Sequence, residues 1–429
     1  MKTFINPDRK EWASILKRPT MSLDEIEALV RPVMETVKEK GDEALNIYTE
    51  KFDGVRLKSF SVSEKELEQA LDFVSEELQL AIEQAASNIE KFHLAQRKEP
   101  IEVETMTGVK CYRKAVAIEK VGLYIPGGTA PLFSTVLMLS IPAKIAGCKE
   151  IILCTPPNKE GQVHPAILFA ASLVGITKVF KVGGAQAIAA LTFGTESIPQ
   201  VNKVFGPGNQ YVTAAKQLAT KYGLAIDMPA GPSEVAVYAD DYANASFVAA
   251  DLLSQAEHGV DSQVVLVASS EVIVEEVKTQ LQAQLTLLSR RAIAEKALAN
   301  SVAIVMQVQS KAIDLLNEYG AEHLILSVKD YWSVADQIIN AGSIFLGNLT
   351  PESAGDYASG TNHTLPTNGY AKMYSGVSLD SYVKMITYQE ITEEGIQNLG
   401  PVVEQMAAAE QLDAHKNAVT LRLNYLKDV

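Results

Sequence analysis

The sequence predicts an α/β protein of two doubly wound, incomplete Rossmann-like domains with parallel sheets, plus a small amino-terminal arm and a helical carboxy-terminal tail. Two observations carry this reading. Across residues 121–239 the chain repeats strand, glycine turn and helix: Val121-Gly-Leu-Tyr-Ile125 before Pro-Gly-Gly, Glu150-Ile-Ile-Leu-Cys154 before Thr-Pro-Pro, Lys178-Val-Phe-Lys-Val182 before Gly-Gly, and Asn202-Lys-Val-Phe205 before Gly-Pro-Gly-Asn209. The alternation resumes at Gln263-Val-Val-Leu-Val-Ala268, Val302-Ala-Ile-Val-Met306, Leu324-Ile-Leu326 and Ser343-Ile-Phe-Leu346. Such a pattern means parallel strands joined by crossover helices, with ligands expected at the carboxyl ends of the strands.

Taken in order, residues 1–21 have no strong period and form the arm. Ser22-Leu-Asp-Glu25 is a capping box whose helix runs to about Lys40, before Gly41. A second box, Ser63-Glu-Lys-Glu66, opens one long amphipathic helix with Leu67, Ala70, Leu71, Val74, Leu78, Ile82 and Ile89 on a single stripe. From Ile101 the pattern turns to strand, with Thr107-Gly108 as a hairpin turn. After Leu349 the apolar period gives way to a polar loop reaching about Ser378, and a helical tail follows from Thr392 to Leu426. The expected domains are residues 22–123 with 234–377, residues 124–233 as the nucleotide-binding half, and residues 378–429 as the tail.

Composition narrows the function. At 429 residues and 47% apolar content the chain exceeds one core. A net charge of -14, from 38 basic and 52 acidic residues, argues against nucleic acid or an anionic membrane as partner. Three cysteines without a Cys-x-x-Cys spacing predict a reducing compartment and no thiolate zinc site. The first ten residues lack a signal peptide's apolar core, and the longest apolar stretch, residues 131–148, is interrupted by Ser140, Pro142 and Lys144, so a cytoplasmic protein is expected.

Three glycine turns, at Pro126-Gly-Gly128, Gly183-Gly184 and Gly206-Pro-Gly-Asn209, offer free amides to a phosphate, or are simply tight turns; none matches Gly-x-Gly-x-x-Gly. Tyr124, Gln186 and Asn209 stand at or just after strand ends, placed either to touch a nucleotide or to cap local backbone. Gln255 and His258, three apart near the end of a helix that Gly259 should stop, could share a metal ion. Glu322-His323 pairs a carboxylate with the side chain best suited to take a proton near neutral pH, though a surface dipeptide reads the same. Asp356 and His363 lie in the glycine-rich loop, Glu410 and His415 in the tail. Gln255, His258, Asp356 and His415 together offer two nitrogens and two oxygens, a set suited to zinc, but spacing alone does not select them. Cys148 and Cys154 flank a buried strand and read as inert.

Seven stretches together resemble the histidinol dehydrogenase family: Val121-Gly-Leu-Tyr-Ile-Pro-Gly-Gly128, Val182-Gly-Gly-Ala-Gln-Ala-Ile-Ala-Ala-Leu191, Phe205-Gly-Pro-Gly-Asn209, Asp227-Met-Pro-Ala-Gly-Pro-Ser-Glu234, Leu252-Leu-Ser-Gln-Ala-Glu-His258, Ala321-Glu-His-Leu324, and Gly355 through His363. The resemblance implies oxidation of L-histidinol to L-histidine in two hydride transfers to separate NAD molecules, through an aldehyde that stays bound, with one zinc per subunit. It implies zinc on Gln255, His258, Asp356 and His415, His323 as general base, and Glu322 as activator of water. Tyr124, Gln186 and Asn209 would contact NAD. Ser233, His363 and Glu410, together with His323 and the four metal ligands, would contact substrate. It further implies an intertwined homodimer whose tail lends Glu410 and His415 to the partner's site. The rival expectation is a zinc hydrolase using Glu322 on water, which needs no NAD.

Overall fold

The computed structural model describes residues 1–19, 23–127, 131–229 and 231–428. The chain divides into two compact units, Met1–Ala95 with Ile118–Ser381, and Gln96–Ala117 with Tyr382–Val429.

The first unit contains two parallel sheets, as the strand-and-helix alternation predicts. One has five strands in the order Lys178–Lys181, Glu150–Thr155, Lys120–Tyr124, Lys203–Phe205, Ala225–Ile226. Its chain order reverses between Lys120–Tyr124 and Lys203–Phe205, leaving a crevice beyond their carboxyl ends. The helices Leu23–Lys40, Gly184–Phe193 and Gln210–Thr220 bury Val30, Met34, Ile188 and Leu218 on one side of it.

The other sheet has six strands: Lys2–Ile5, Val302–Val305, Gln263–Ala268, Glu234–Ala239, His323–Ser327 and Ser343–Leu346, all parallel. Residues expected as a free arm supply its edge strand, Lys2 opposite Val302 through Ile5 opposite Val305, and the helix Arg9–Ile15 with buried Trp12. Four residues are too few to show a period, so only the pairing reveals them. Apolar layers cover both faces, Val237, Leu252 and Val274 on one, Val265, Leu316 and Leu324 on the other.

Three further segments differ from expectation. The long helix after Ser63 is broken: Glu64–Gln69 and a 3-10 turn at Ala70–Phe73 precede a second helix, Glu76–Leu94. Ser75 accepts a hydrogen bond from the Leu78 amide and starts that helix afresh, so Leu71 is exposed rather than on a continuous stripe. The expected loop after Leu349 holds a helix, Glu352–Tyr357, behind Pro351. The tail helix is two, Glu393–Ala409 and Asp413–Asp428, parted at Gln411, whose φ is +60°. Ser22, of the first capping box, lies outside the described residues; the helix there runs Leu23–Lys40 as expected.

In the second unit, the expected hairpin of Ile101–Met106 and Val109–Ala117 turns at Gly108, with φ +78°, and Val383–Ile391 pairs antiparallel with its second strand. The helix Asp413–Asp428 buries no side chain, while Ile386, Tyr388, Val402, Met406, Leu421 and Tyr425 stand exposed. Among the described residues no helix is long and apolar enough to cross a membrane.

Candidate active site

Two sites stand on the first unit, one at each sheet. At the five-stranded sheet, a cavity of about 1100 Å³ opens beyond the strand ends, lined by Tyr124, Thr155, Gln186 and Asn209, with Asp53 and Phe52 from the helix Asp42–Asp53. Gly206 opens the turn that leads to Asn209: φ is +133°, and a Cβ there would sit 2.1 Å from the Tyr124 carbonyl oxygen. Its amide donates to Asp227 Oδ2 at 2.8 Å and its carbonyl accepts from Lys216 Nζ at 2.8 Å. Lys216 and Asp227 are themselves a buried ion pair, so both ends of the Gly206 peptide are held by one charged couple.

The three residues expected at a nucleotide have distinct local duties. Asn209 caps the helix Gln210–Thr220, accepting from Tyr211 and Val212 amides at 3.1 Å each. The Tyr124 hydroxyl accepts from Gly184 N at 3.1 Å, and burial pushes its pKa to about 12. Gln186 is 1% exposed and its Oε1 has no partner.

The second site lies at the amino edge of the six-stranded sheet, against the expectation that ligands gather at carboxyl ends. The reason is connectivity. The helix Ala245–Ala256 runs back from the strand Glu234–Ala239 and delivers Gln255 to the edge where the strands begin. The helix ends at Ala256, so His258 lies just past it, its amide donating to Gln255 O at 3.2 Å. Asp251, one turn before Gln255, accepts from the Glu352 amide, which turns this face toward the helix Glu352–Tyr357.

His323 opens the neighbouring strand, directly after Glu322, and the two grip Glu234, whose amide donates to Glu322 Oε2 at 3.0 Å and whose carbonyl lies 3.4 Å from His323 Nδ1. The ring's Nε2 lies 3.3 Å from Asp356 Oδ1, yet off the line of a hydrogen bond, so it has no aligned partner. Glu322 Oε2 and Glu352 Oε1 stand 3.7 and 4.0 Å from Nδ1. Burial disfavours charge on this imidazole, but Glu322, Glu352 and Asp356 outweigh it and raise its pKa to about 10. Burial likewise raises Glu322 and Glu352, each to about 8, with His323 opposing. Asp356 also feels burial, but the His323 contact holds its pKa below the usual carboxylate range.

His363 joins this cluster to the other half: Nδ1 lies 2.8 Å from the Asp356 carbonyl and Nε2 3.0 Å from Thr135 Oγ1, on the helix Phe133–Ala146 that follows the first strand of the five-stranded sheet. Ser233 directly precedes the strand that starts at Glu234, its carbonyl accepting from Gln263 N at 3.3 Å. Glu410 and His415 belong to the second unit, both exposed, either side of the break at Gln411.

Ligand atoms of His258, Glu352 and Asp356 all lie within 4.8 Å of one another, the one imidazole–carboxylate group among the described residues tight enough for a cation. His258 is exposed overall, yet the protein around it makes desolvation the largest cause lowering its pKa, with Asp356 opposing. Beside it, Gln255 is 1% exposed and neither Oε1 nor Nε2 has a partner. A buried carboxamide left wholly unpaired is costly, and a hard cation would relieve its oxygen. The donor set, amide, imidazole and carboxylate, therefore fits a divalent ion. Glu352 is the member sequence reasoning missed. It stands four residues before Asp356, a helical spacing hidden because the segment read as loop.

Two parallel sheets, with an open crevice on one and a proton-handling, cation-ready cluster on the other, suit the class of α/β dehydrogenases. A model of the family "Histidinol dehydrogenase" matches residues 16–423. The chain is 59% identical over 427 residues to histidinol dehydrogenase of Bacteroides thetaiotaomicron, covering 100% of both chains, and 52% identical over 417 residues to that of Vibrio cholerae, covering 96% of both. It superposes on the crystal structure of histidinol dehydrogenase from Elizabethkingia anophelis with TM-score 0.96 at 56% identity, covering 100% of this chain and 99% of that one. An acetylating aldehyde dehydrogenase from Geobacillus thermoglucosidasius, 16% identical at TM-score 0.50 over 89% of this chain and 94% of its own, shares the fold. The chain belongs to the histidinol dehydrogenase family, whose members are NAD-dependent oxidoreductases, and the hydrolase alternative has no support.

Proposed function

We propose that this protein oxidises L-histidinol to L-histidine through bound L-histidinaldehyde, reducing two NAD, as the closing oxidation of histidine biosynthesis in the cytoplasm. The observation that carries this reading is Gln255, a buried amide with both polar atoms unpartnered, three residues before the His258 that groups with Glu352 and Asp356. Gln255, His258 and Asp356, with His415 from a partner subunit, would hold one zinc. Bound zinc supplies a Lewis acid that orients a nitrogen-rich substrate.

The protein's own groups do the rest. His323 takes the alcohol proton as hydride leaves the carbinol carbon for the nicotinamide, giving aldehyde and NADH. That role needs a neutral ring. Burial favours the neutral imidazole, while Glu322, Glu352 and Asp356 favour the charged one, and a cation drawing on Glu352 and Asp356 would weaken their hold on the proton. Glu322 takes a proton from water as it adds to the aldehyde, and His323 serves again when the hydrate gives its hydride to a second NAD. Ser233, His363 and Glu410 are assigned to the substrate; Tyr124, Gln186 and Asn209 to NAD. Support for an intertwined homodimer comes from the second unit, whose exposed Val402, Met406, Leu421 and Tyr425 are an apolar surface with no interior of its own to enter.

Purified protein should form NADH from histidinol and NAD, lose this with a chelator and regain it with zinc; product without NAD would sink the proposal. The His323→Ala variant should lose turnover by roughly 10²- to 10⁴-fold. Its zinc content, read by mass spectrometry, should stay at the wild-type value, whereas loss of metal would make His323 a ligand instead.

A further inference from the structure

The cavity at the five-stranded sheet is built to receive hydrogen-bond donors, and its polar atoms point to which part of the cofactor lies where. Three buried side-chain oxygens that line it have no partner: Asp53 Oδ2, Thr155 Oγ1 and Gln186 Oε1. Two of these can only accept, so the missing occupant must donate. Asp53 is the single carboxylate among the described lining residues. It closes the helix Asp42–Asp53, directly after Phe52, and Phe52 stacks on Tyr48 of the same helix with ring centroids 5.7 Å apart and planes 8° from parallel. Tyr48 and Phe52 both line the cavity, and Phe52 is 55% exposed, with Lys51 Nζ 5.2 Å from its ring centroid.

We infer that Asp53 is a specificity-determining residue that binds the adenosine ribose of NAD through its hydroxyls and rejects a phosphate in their place. This inference rests on the NAD reading of the cavity. The physical grounds are three. A purine packs well against aromatic rings, and the Tyr48–Phe52 pair beside Asp53 offers the adenine such a surface. The sugar attached to an adenine there would reach toward Asp53, which lines the same cavity. A vicinal diol offers two donors to a carboxylate's two acceptor oxygens, whereas the adenine amine would engage one oxygen only. Burial raises the Asp53 pKa to about 6, and that cost of holding an unpaired carboxyl is what a diol would remove. A phosphorylated ribose would bring its charge against the carboxylate.

The test is a titration of purified, zinc-loaded protein. NADH fluorescence and steady-state kinetics should give Asp53→Ala a dissociation constant and NAD KM raised roughly 10- to 100-fold, as for a lost hydrogen bond to a charged group, with kcat, histidinol KM and zinc content near wild type. Wild type should lose as much on exchanging NAD for its analogue deoxygenated on the adenosine ribose, and Asp53→Ala should no longer distinguish the two. The preference for NAD over NADP should narrow by a similar factor in Asp53→Ala and in Asp53→Asn, the second variant guarding against a packing defect in the first. An unchanged NAD KM, or undiminished discrimination between NAD and the deoxy analogue, overturns the assignment of Asp53. Wild-type protein that reduces no NAD at all would instead overturn the cavity's nucleotide reading.

Discussion

The carboxyl of Asp53 has a measurable cost while the cofactor is absent. Its pKa rises from 3.8 in the unfolded chain to about 6 because burial penalises its charge. Between those values the folded form holds more protons than the unfolded one, so stability falls as pH rises through this window and stays lowered above about 6. Asn cannot titrate. The melting temperature of cofactor-free Asp53→Asn, relative to wild type, should therefore be higher at pH 7.5 than at pH 4.5; an equal difference at both would mean the carboxyl is already paired. Single residues were also where the sequence spoke most unevenly. Scarcity made His258, His323 and His363 visible, and the structure brings all three near Asp356. Glu352 was silent, since a glutamate after a proline in a polar stretch resembles any surface acid. Asp53 was silent for the same reason: it is near enough to Tyr124 to affect its charge, yet 71 positions away in the chain.

Among elements, the turn from Phe205 to Asn209 shows how a charged couple can serve geometry. Lys216 and Asp227 are 3% and 1% exposed at their side chains and hold the carbonyl and amide of Gly206. Removing one partner leaves the other charge buried and uncompensated. Lys216→Met should cost about 3–5 kcal/mol in urea unfolding. A loss under about 1 kcal/mol would place the pair in water rather than in the core. Gly206→Ala should also destabilise, because its Cβ would collide with the Tyr124 carbonyl at 2.1 Å in a conformation that side chains rarely adopt. The strands and their parallel order were legible because a strand, glycine turn and helix repeat needs only local sequence. Helix breaks were less so. The stop at Val74 depends on Ser75 capping the helix Glu76–Leu94, and the short helix Glu352–Tyr357 has too few residues to show a 3.6 period. The edge strand Lys2–Ile5 acquires its meaning only from Val302–Val305, some three hundred residues later.

At the scale of the molecule, the second unit exposes apolar side chains on its sheet and both helices, and its last helix buries none. With the shared site proposed here, His258→Ala and His415→Ala subunits, each inactive alone, should regain roughly a quarter to a half of wild-type activity when mixed under conditions of subunit exchange, because a mixed pair assembles one intact centre. Mixtures that stay dead would mean that the tail serves its own chain. Thermal stability should rise with protein concentration over the micromolar range, since association and folding are then one equilibrium. None of this was readable from periodicity. An amphipathic helix in sequence does not say whose interior it enters.

The proposed chemistry visits one nucleotide crevice twice for each substrate consumed. The crevice belongs to the five-stranded sheet, and the imidazole–carboxylate cluster to the amino edge of the six-stranded one. Because separate scaffolds carry the two, a spent dinucleotide can depart and a fresh one arrive while the half-oxidised intermediate keeps its own anchors. A reactive aldehyde is thereby kept from escaping during the exchange.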